Sequence, residues 1–462
     1  MSTFLLTGSR LIKYKININV VKITVFIYKN VDKNSHYGGI LMNVPDNTNK
    51  IKPIRSIPGA LPEPDDLIGR ENTINDIKSK IQNVNILLLS PRRFGKSGIL
   101  NYLHKKGINN FLPIYIMVEE ISQPEVFISE LIKVLASHDS ILNNCISQIP
   151  RLPGKLFNWI KKQGSIKIKD IEWKPIVDEE ISWLDLGNLL FHELEKFDKR
   201  IVFMIDEFPK MIERFHNNNI DIDTFLSWFR SCRITENDAL RKHRYIITGS
   251  IGINYLLRKT RTTTALNDLD RIYVGEISEE NANILLKGLY LNYYKKEPGE
   301  EFLKKFFEIL DCRVPFFIHL YFDQLRQDEE GRKGNLSPEV LRNVFWKSLL
   351  GERCKAHFDH YYDRLKNYGP ERRKAAEIVL RKLAAENRMK RMELFRFLKA
   401  KSKIIGQKID DAFFNDLMAD LEVEWYILLE NSDQALEKQS YCFKIPLLAR
   451  WWNRFYPSLE ED

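Results

Sequence analysis

Between residues 67 and about 278, short apolar runs alternate with amphipathic stretches of helix length. The runs lie at 86–89, 114–118, 201–205, 245–247 and 272–274. They are continuous and rich in Ile, Leu and Val, the pattern of strands buried on both faces of a parallel sheet. Five such strands with helical crossovers predict a doubly wound α/β domain. Residues 279–365 read as helical, with stripes such as Ala282, Leu285, Leu286, Leu289 and Phe302, Phe306, Ile309, Leu310 at helical spacing. Three more helical segments follow, at 372–386, 390–399 and 407–421, and then two strand-like runs at 425–429 and 441–445. Three helices and a hairpin are the order of a winged helix. Upstream, 16–28 alternates Ile16, Ile18 and Val20 with Asn17 and Asn19 and reads as a strand, and 46–66 reads as a polar linker punctuated by proline.

The expected organisation is therefore a leader and linker (1–64), an α/β core with a five-stranded parallel sheet (65–278), a helical lid (279–368) and a winged-helix-like domain (369–462). The first ~40 residues, rich in Ile, Asn, Lys and Val, look unlike the rest, and a native start at Met42 is one expectation. At 44% hydrophobic and 29% charged residues the chain has a globular balance that excludes wholesale disorder and a membrane bundle. No run approaches the ~20 apolar residues that span a bilayer. Five scattered cysteines without a C-x-x-C pair argue against a disulfide scaffold and a Cys-rich zinc site, and suit reduced thiols in the cytoplasm.

The net charge of +9 is unevenly placed. Residues 371–408 carry 13 basic and 4 acidic side chains, residues 1–60 carry 9 and 2, and residues 409–462 carry 4 and 12. The middle is near neutral, so a polyanion partner would meet the ends of the chain. The basic block has the density of a phosphate-backbone footprint. The third helix, the expected groove reader, carries Asp410, Asp411, Asp416 and Asp420, which opposes entry into a major groove. DNA, a protein partner, and docking of the basic helices onto 409–462 all stay open.

The first apolar run leads into Ser90-Pro91-Arg92-Arg93-Phe94-Gly95-Lys96-Ser97 and then, from Gly98, a helix. This is G-x-x-x-x-G-K-[ST] with Ser90 in place of the first glycine. A loop that feeds a helix N-terminus aims backbone N–H groups at an anion. Gly95 permits close approach, Lys96 reaches the β/γ-phosphates, and the Ser97 hydroxyl ligates Mg²⁺. A second apolar run ends in Asp206-Glu207. A buried strand ending there would set Asp206 beside the loop to hold Mg²⁺ through water, and Glu207 to polarise the attacking water. The next strand ends in Thr248-Gly249-Ser250, where a polar side chain, assigned to Ser250, would sense the γ-phosphate. Arg258, Arg261 and Arg271 follow; any of them could serve as an arginine finger.

These motifs carry a resemblance. Leu67-Ile68-Gly69-Arg70-Glu71, the phosphate loop, Ile205-Asp206-Glu207, Thr248-Gly249-Ser250 and Cys312-Arg313-Val314-Pro315-Phe316-Phe317 resemble the archaeal-type ATPases of the AAA+/STAND branch of P-loop NTPases, which also occur in bacteria. The resemblance covers about 65–330. The segment from Phe443 through Ile445-Pro446-Leu447-Leu448 to Trp451-Trp452 is similar to the end of the winged helix that often follows. The resemblance implies that Gly69 and Arg70 lie near the adenine and that Pro315 packs near the base. Ser90 and Arg313 stand where the family has glycines. Together these readings lead to a cytoplasmic, Mg²⁺-dependent ATPase of switch type, working as an oligomer or complex subunit. The family suggests a role in prokaryotic defence or DNA-associated regulation. Two other readings are a non-hydrolysing, nucleotide-stabilised DNA-binding regulator and an ATPase subunit whose effector is a separate chain.

Overall fold

The computed structural model describes residues 10–18, 21–29, 40–42, 52–138, 182–249, 262 and 264–457, the first three segments by backbone alone. Ser250, Arg258 and Arg261 lie outside the described residues. The chain divides into two compact units, Met1–Lys52 and Pro53–Asp462.

The first unit holds an antiparallel sheet of β1 (Arg10–Ile18), β2 (Val21–Lys29) and β3 (Ile40–Met42), in that spatial order. Ile18 pairs with Val21, so the run read as one strand over 16–28 is shared by the two arms of a hairpin. The alternation of apolar and polar residues runs through the sequence of both arms, which is why it reads as one strand.

The second unit is built on β4 (Asn85–Leu89), β5 (Phe111–Met117), β6 (Arg200–Asp206), β7 (Arg244–Gly249) and β8 (Leu269–Tyr273). They form one sheet in the order β5-β6-β7-β4-β8, and every pair is parallel. All five expected runs are strands. Successive side chains point to opposite faces, and each face has its own apolar cluster. Leu87, Leu89, Phe203, Ile205, Tyr245 and Ile247 pack on one side. Ile86, Leu88, Val202, Met204, Ile246 and Ile272 pack on the other. This two-sided burial is why the runs do not alternate.

The helices of this part are α1 (Glu71–Lys80), α2 (Lys96–Lys106), α3 (Pro124–Ala136), α4 (Trp183–Glu195), α5 (Phe208–Asn217) and α6 (Ile222–Arg233). Their starts are legible: Ser182 and Asp221 accept hydrogen bonds from backbone N–H groups three residues on, and Pro124 and Pro209 sit in first turns, where no intrahelical N–H is needed.

The C-terminal half contributes α7 (Glu279–Tyr294), α8 (Glu300–Leu310), α9 (Pro315–Gln327), α10 (Pro338–Val344), α11 (Glu352–Arg364) and α12 (Pro370–Glu386). After them come β9 (Arg388–Lys390), α13 (Arg391–Ala400), α14 (Asp411–Val423), β10 (Ile427–Glu430), β11 (Ser440–Phe443) and α15 (Pro446–Phe455). β9 adds a third antiparallel strand beside β11, giving the winged-helix-like arrangement. Its three residues, Arg388-Met389-Lys390, carry no apolar run that sequence reading could have caught. The lid helices and the winged-helix-like part share one apolar core, which runs from Ile277 to Trp452 and takes in Ile54 and Phe94. Trp451 and Trp452 are fully buried in it, and Trp451 stacks on Phe358 with ring centroids 5.7 Å apart.

Candidate functional site

The sheet order sets the C-terminal ends of β4 and β6 on either side of β7, and the crevice beyond such strand ends is where open α/β sheets place ligands. From β4 the chain turns through 90–95 into α2, which begins at Lys96. Arg93 and Gly95 take left-handed φ values of 74° and 92°. A Cβ on Gly95 would meet nothing nearer than Arg70 at 3.9 Å, so the glycine answers a backbone requirement, not a shortage of space. Ser90 is buried and its hydroxyl donates to the Pro91 carbonyl at 3.0 Å, so the residue in the family's glycine position turns into its own loop.

Lys96 lies across the loop. Its Nζ donates to the Ser90 carbonyl at 2.9 Å, to Ser90 Oγ at 3.2 Å and to the Pro91 carbonyl at 3.2 Å. Burial pulls its pKa down to about 8, against the opposing pull of Glu207 and Asp206.

Asp206 is fully buried at the end of β6. Tyr115 from neighbouring β5 donates its hydroxyl to Oδ2 at 3.1 Å, and the Thr248 hydroxyl from β7 donates to Oδ1. The Glu207 N–H also donates to Oδ1, at 3.1 Å. Burial and the Asp206 charge push the Tyr115 phenol well above its ordinary value, so it remains a donor. Glu207 takes φ 60°. Burial raises its pKa, and Lys96 pulls the other way. Tyr115 and Thr248 are orienting residues that motif reading did not assign. Their signal is the strand order, since only the strands flanking β6 can reach its last residue.

A cleft of about 410 Å³ opens over the loop. Arg92, Arg93, Gly95, Lys96, Ser97, Gly98 and Glu207 line one side of it. Residues 57–62 form another wall, and Ile54 donates its N–H to the Gly288 carbonyl of α7 at 2.9 Å. The proline-rich stretch expected to be a linker thus belongs to the second unit from Pro53 onward; its prolines supply wall, not slack. Pro315, in the first turn of α9, lines the cleft with Phe316 and His319. Arg93 lies over the Phe316 ring, 4.6 Å from its centroid. Ala356 and His360 of α11 complete the lining, and His360 Nε2 is buried with no hydrogen-bond partner among the described residues.

Arg70 lines this cleft, and Gly69 precedes it in the chain. A Cβ on Gly69, at φ 72°, would come within 2.8 Å of Ile277 and 2.9 Å of Asn281. Arg70 donates to the Gly275 carbonyl and to the Phe94 carbonyl, each at 2.8 Å. Through Arg70, the box expected near a base braces the phosphate loop. Arg313 donates its N–H to Glu276 Oε1 at 2.9 Å. Arg271 is an exposed residue of edge strand β8.

No group of three or more His, Cys, Asp or Glu side chains that could hold a metal occurs among the described residues. Ser97 with Asp206 suits Mg²⁺, which keeps much of its own water and takes few protein ligands. No helix among the described residues is long and apolar enough to cross a membrane. Much of the basic block is engaged within the fold. Arg372 pairs with Asp420 and Arg388 with Glu430. Arg391 donates to Asn415 and Gln439, while Arg373 and Lys382 pair along their own helix with Glu377 and Glu386.

The strand order, the loop-to-helix turn and the appended parts define the fold as a five-stranded parallel P-loop NTPase-type core with a helical lid and a winged-helix-like part. The chain is similar to a Walker-type ATPase of Pyrococcus abyssi, at 18% identity over 84% of this chain and 96% of that one, with a TM-score of 0.53. It is also similar to the ORC2 protein of Aeropyrum pernix in its ADPNP-ADP complexes, at 10% identity over 86% and 96%, with a TM-score of 0.51. No protein-family description matches the sequence, and no curated protein matches it.

Proposed function

We propose that the chain binds ATP with Mg²⁺ in this cleft and hydrolyses it, as a switch to which the lid and the winged-helix-like part respond. The reading is supported by Lys96, Ser97 and Glu207 lining one cleft, with Asp206 beside Glu207 at the end of β6 and both carboxylates acting on Lys96. Backbone N–H groups of the loop and the start of α2 receive phosphate oxygens, and the Lys96 ammonium turns from the loop carbonyls to join them. Ser97 Oγ and Asp206 would hold Mg²⁺, which when bound draws the phosphate oxygens together and offsets their charge. Both Asp206 oxygens already accept hydrogen bonds, so its carboxylate is fixed in direction and suited to reach the ion through water. Glu207 orients and polarises the attacking water. The apolar stretch 57–62, with Phe316, suits a flat base.

The test is ATP titration and phosphate release for the wild type, Lys96→Ala and Glu207→Gln. Removing the positioned base should lower turnover by about 100-fold or more with binding retained, and K96A should lose binding. A wild type that does not bind ATP, or E207Q with wild-type turnover, would overturn the proposal. ATP binding without phosphate release in the wild type would favour the non-hydrolysing regulator.

A further inference from the structure

Phe94 belongs to the phosphate loop by sequence and to the C-terminal core by packing. It lies between the two left-handed residues Arg93 and Gly95 and is 1% exposed. It clusters with residues of the lid and the winged-helix-like part, not with either face of the sheet. Its ring meets Trp425 edge-on, with centroids 5.4 Å apart and planes at 84°, a favoured aromatic geometry. Trp425 stands at the joint between α14 and β10, itself at φ 63°. Lys444 Nζ lies 4.4 Å from the centroid of the Trp425 ring, and the Lys444 N–H donates to the Tyr426 carbonyl at 3.0 Å, so the indole is held from its own side as well. The same ring passes 3.5 Å from where a Cβ on Gly275 would sit. Gly275 is also where Arg70 anchors while bracing the Phe94 carbonyl. Phe94 is thus fixed by its carbonyl to the core and by its ring to the winged-helix-like part.

We propose that Trp425 is a positioning residue for the phosphate loop. It holds Phe94, and through it the backbone of 93–98, in the arrangement that receives a triphosphate, so that filling the cleft and seating the winged-helix-like part favour each other. The ligand in this statement rests on the nucleotide reading above; the hold on the loop does not. Pre-set donors bind more tightly than donors that must first be ordered. Because linkage is reciprocal, whatever Trp425 adds to nucleotide affinity the nucleotide must return as stability of the Trp425 seat.

The test uses the full chain as wild type, Trp425→Ala, Trp425→Phe, Phe94→Ala and the F94A/W425A double variant. Hydrogen exchange of the loop amides is read first without nucleotide, with the amides of β7 as a control for folding. W425A should speed exchange at 93–98 and leave β7 unchanged, and W425F should restore most of the protection. In MgATP titrations W425A should weaken binding about tenfold, within the usual range of coupled sites. The double variant should bind no more weakly than the worse single variant, because both remove one contact. Saturating ATP should slow exchange at 424–428 in the wild type and not in F94A. Wild-type loop exchange in W425A, or losses that add in the double variant, would overturn the proposal. A wild type that fails to bind ATP would instead overturn the nucleotide reading, while the exchange comparison still decides the positioning role.

Discussion

Asp206 shows how a single side chain can be fixed by its neighbours in the sheet. Its two oxygens are claimed by Tyr115 from one adjacent strand and Thr248 from the other, which leaves its direction no freedom. A buried histidine illustrates the same principle with a measurable consequence. His243 accepts the Ile201 N–H at Nδ1, at 3.1 Å, and faces the Leu194 carbonyl with Nε2 at 3.3 Å. A proton on Nδ1 would confront the N–H it now accepts. Burial accordingly lowers its pKa to about 4. Between pH 6.5 and 4 the unfolded chain binds a proton here that the folded chain refuses, so stability falls as the pH falls through that window. Denaturant unfolding should show up to about 3 kcal/mol lost from this residue by pH 4. His243→Gln, which keeps an acceptor and cannot titrate, should lose less stability than the wild type over the same range. Parallel pH profiles for the two chains would count against the argument.

At the scale of elements, the phosphate loop and the acidic strand end were legible because each is contiguous: strand, turn and helix follow one another in the chain. What crosses between elements was not. Thr248 and Tyr115 acquire their role from strand order, and Trp425, read as the first residue of a strand, is a left-handed joint before β10. The stretch read as a linker becomes a wall because α7 and α9 supply partners more than 200 residues away along the chain. Gly69 is an intermediate case. Its box was legible, and its physical reason was not. With φ at 72°, and with Ile277 2.8 Å and Asn281 of α7 2.9 Å from any added Cβ, alanine must strain the backbone and push on α7 at once. Gly69→Ala should cost more than about 1 kcal/mol, read as a lower urea midpoint with unchanged slope. It should also loosen Arg70, which the glycine delivers to the Phe94 and Gly275 carbonyls.

Across the whole molecule, the charge pattern of the sequence takes on a different meaning. A basic segment followed by an acidic one leaves open, in the sequence, a nucleic-acid face, a protein partner or mutual docking. Ion pairs join the two segments: Arg372 of α12 to Asp420 of α14, and Arg388 of β9 to Glu430 of β10. A more enclosed bridge to the acidic segment starts upstream of the basic block, on a helix that lines the cleft. Arg364 of α11 pairs with Glu424 at 3.0 Å, with side-chain exposures of 13% and 6%. The same guanidinium lies over the Tyr426 ring, 5.6 Å from its centroid, while the Tyr426 hydroxyl donates to the Tyr361 carbonyl at 2.6 Å. The bridge therefore joins α11, which lines the cleft, to the end of α14, which carries the Trp425 joint. Removing one member strands a charge in an enclosed site, and that costs far more than the net value of the pair. Glu424→Ala should lower stability by about 3 kcal/mol. An Arg364→Met/Glu424→Leu double variant, which replaces both charges with apolar volume, should recover most of that loss. Guanidinium unfolding of the three chains decides the matter. If the double variant is as unstable as the single one, the bridge stabilises through its own attraction, and the stranded-charge argument fails.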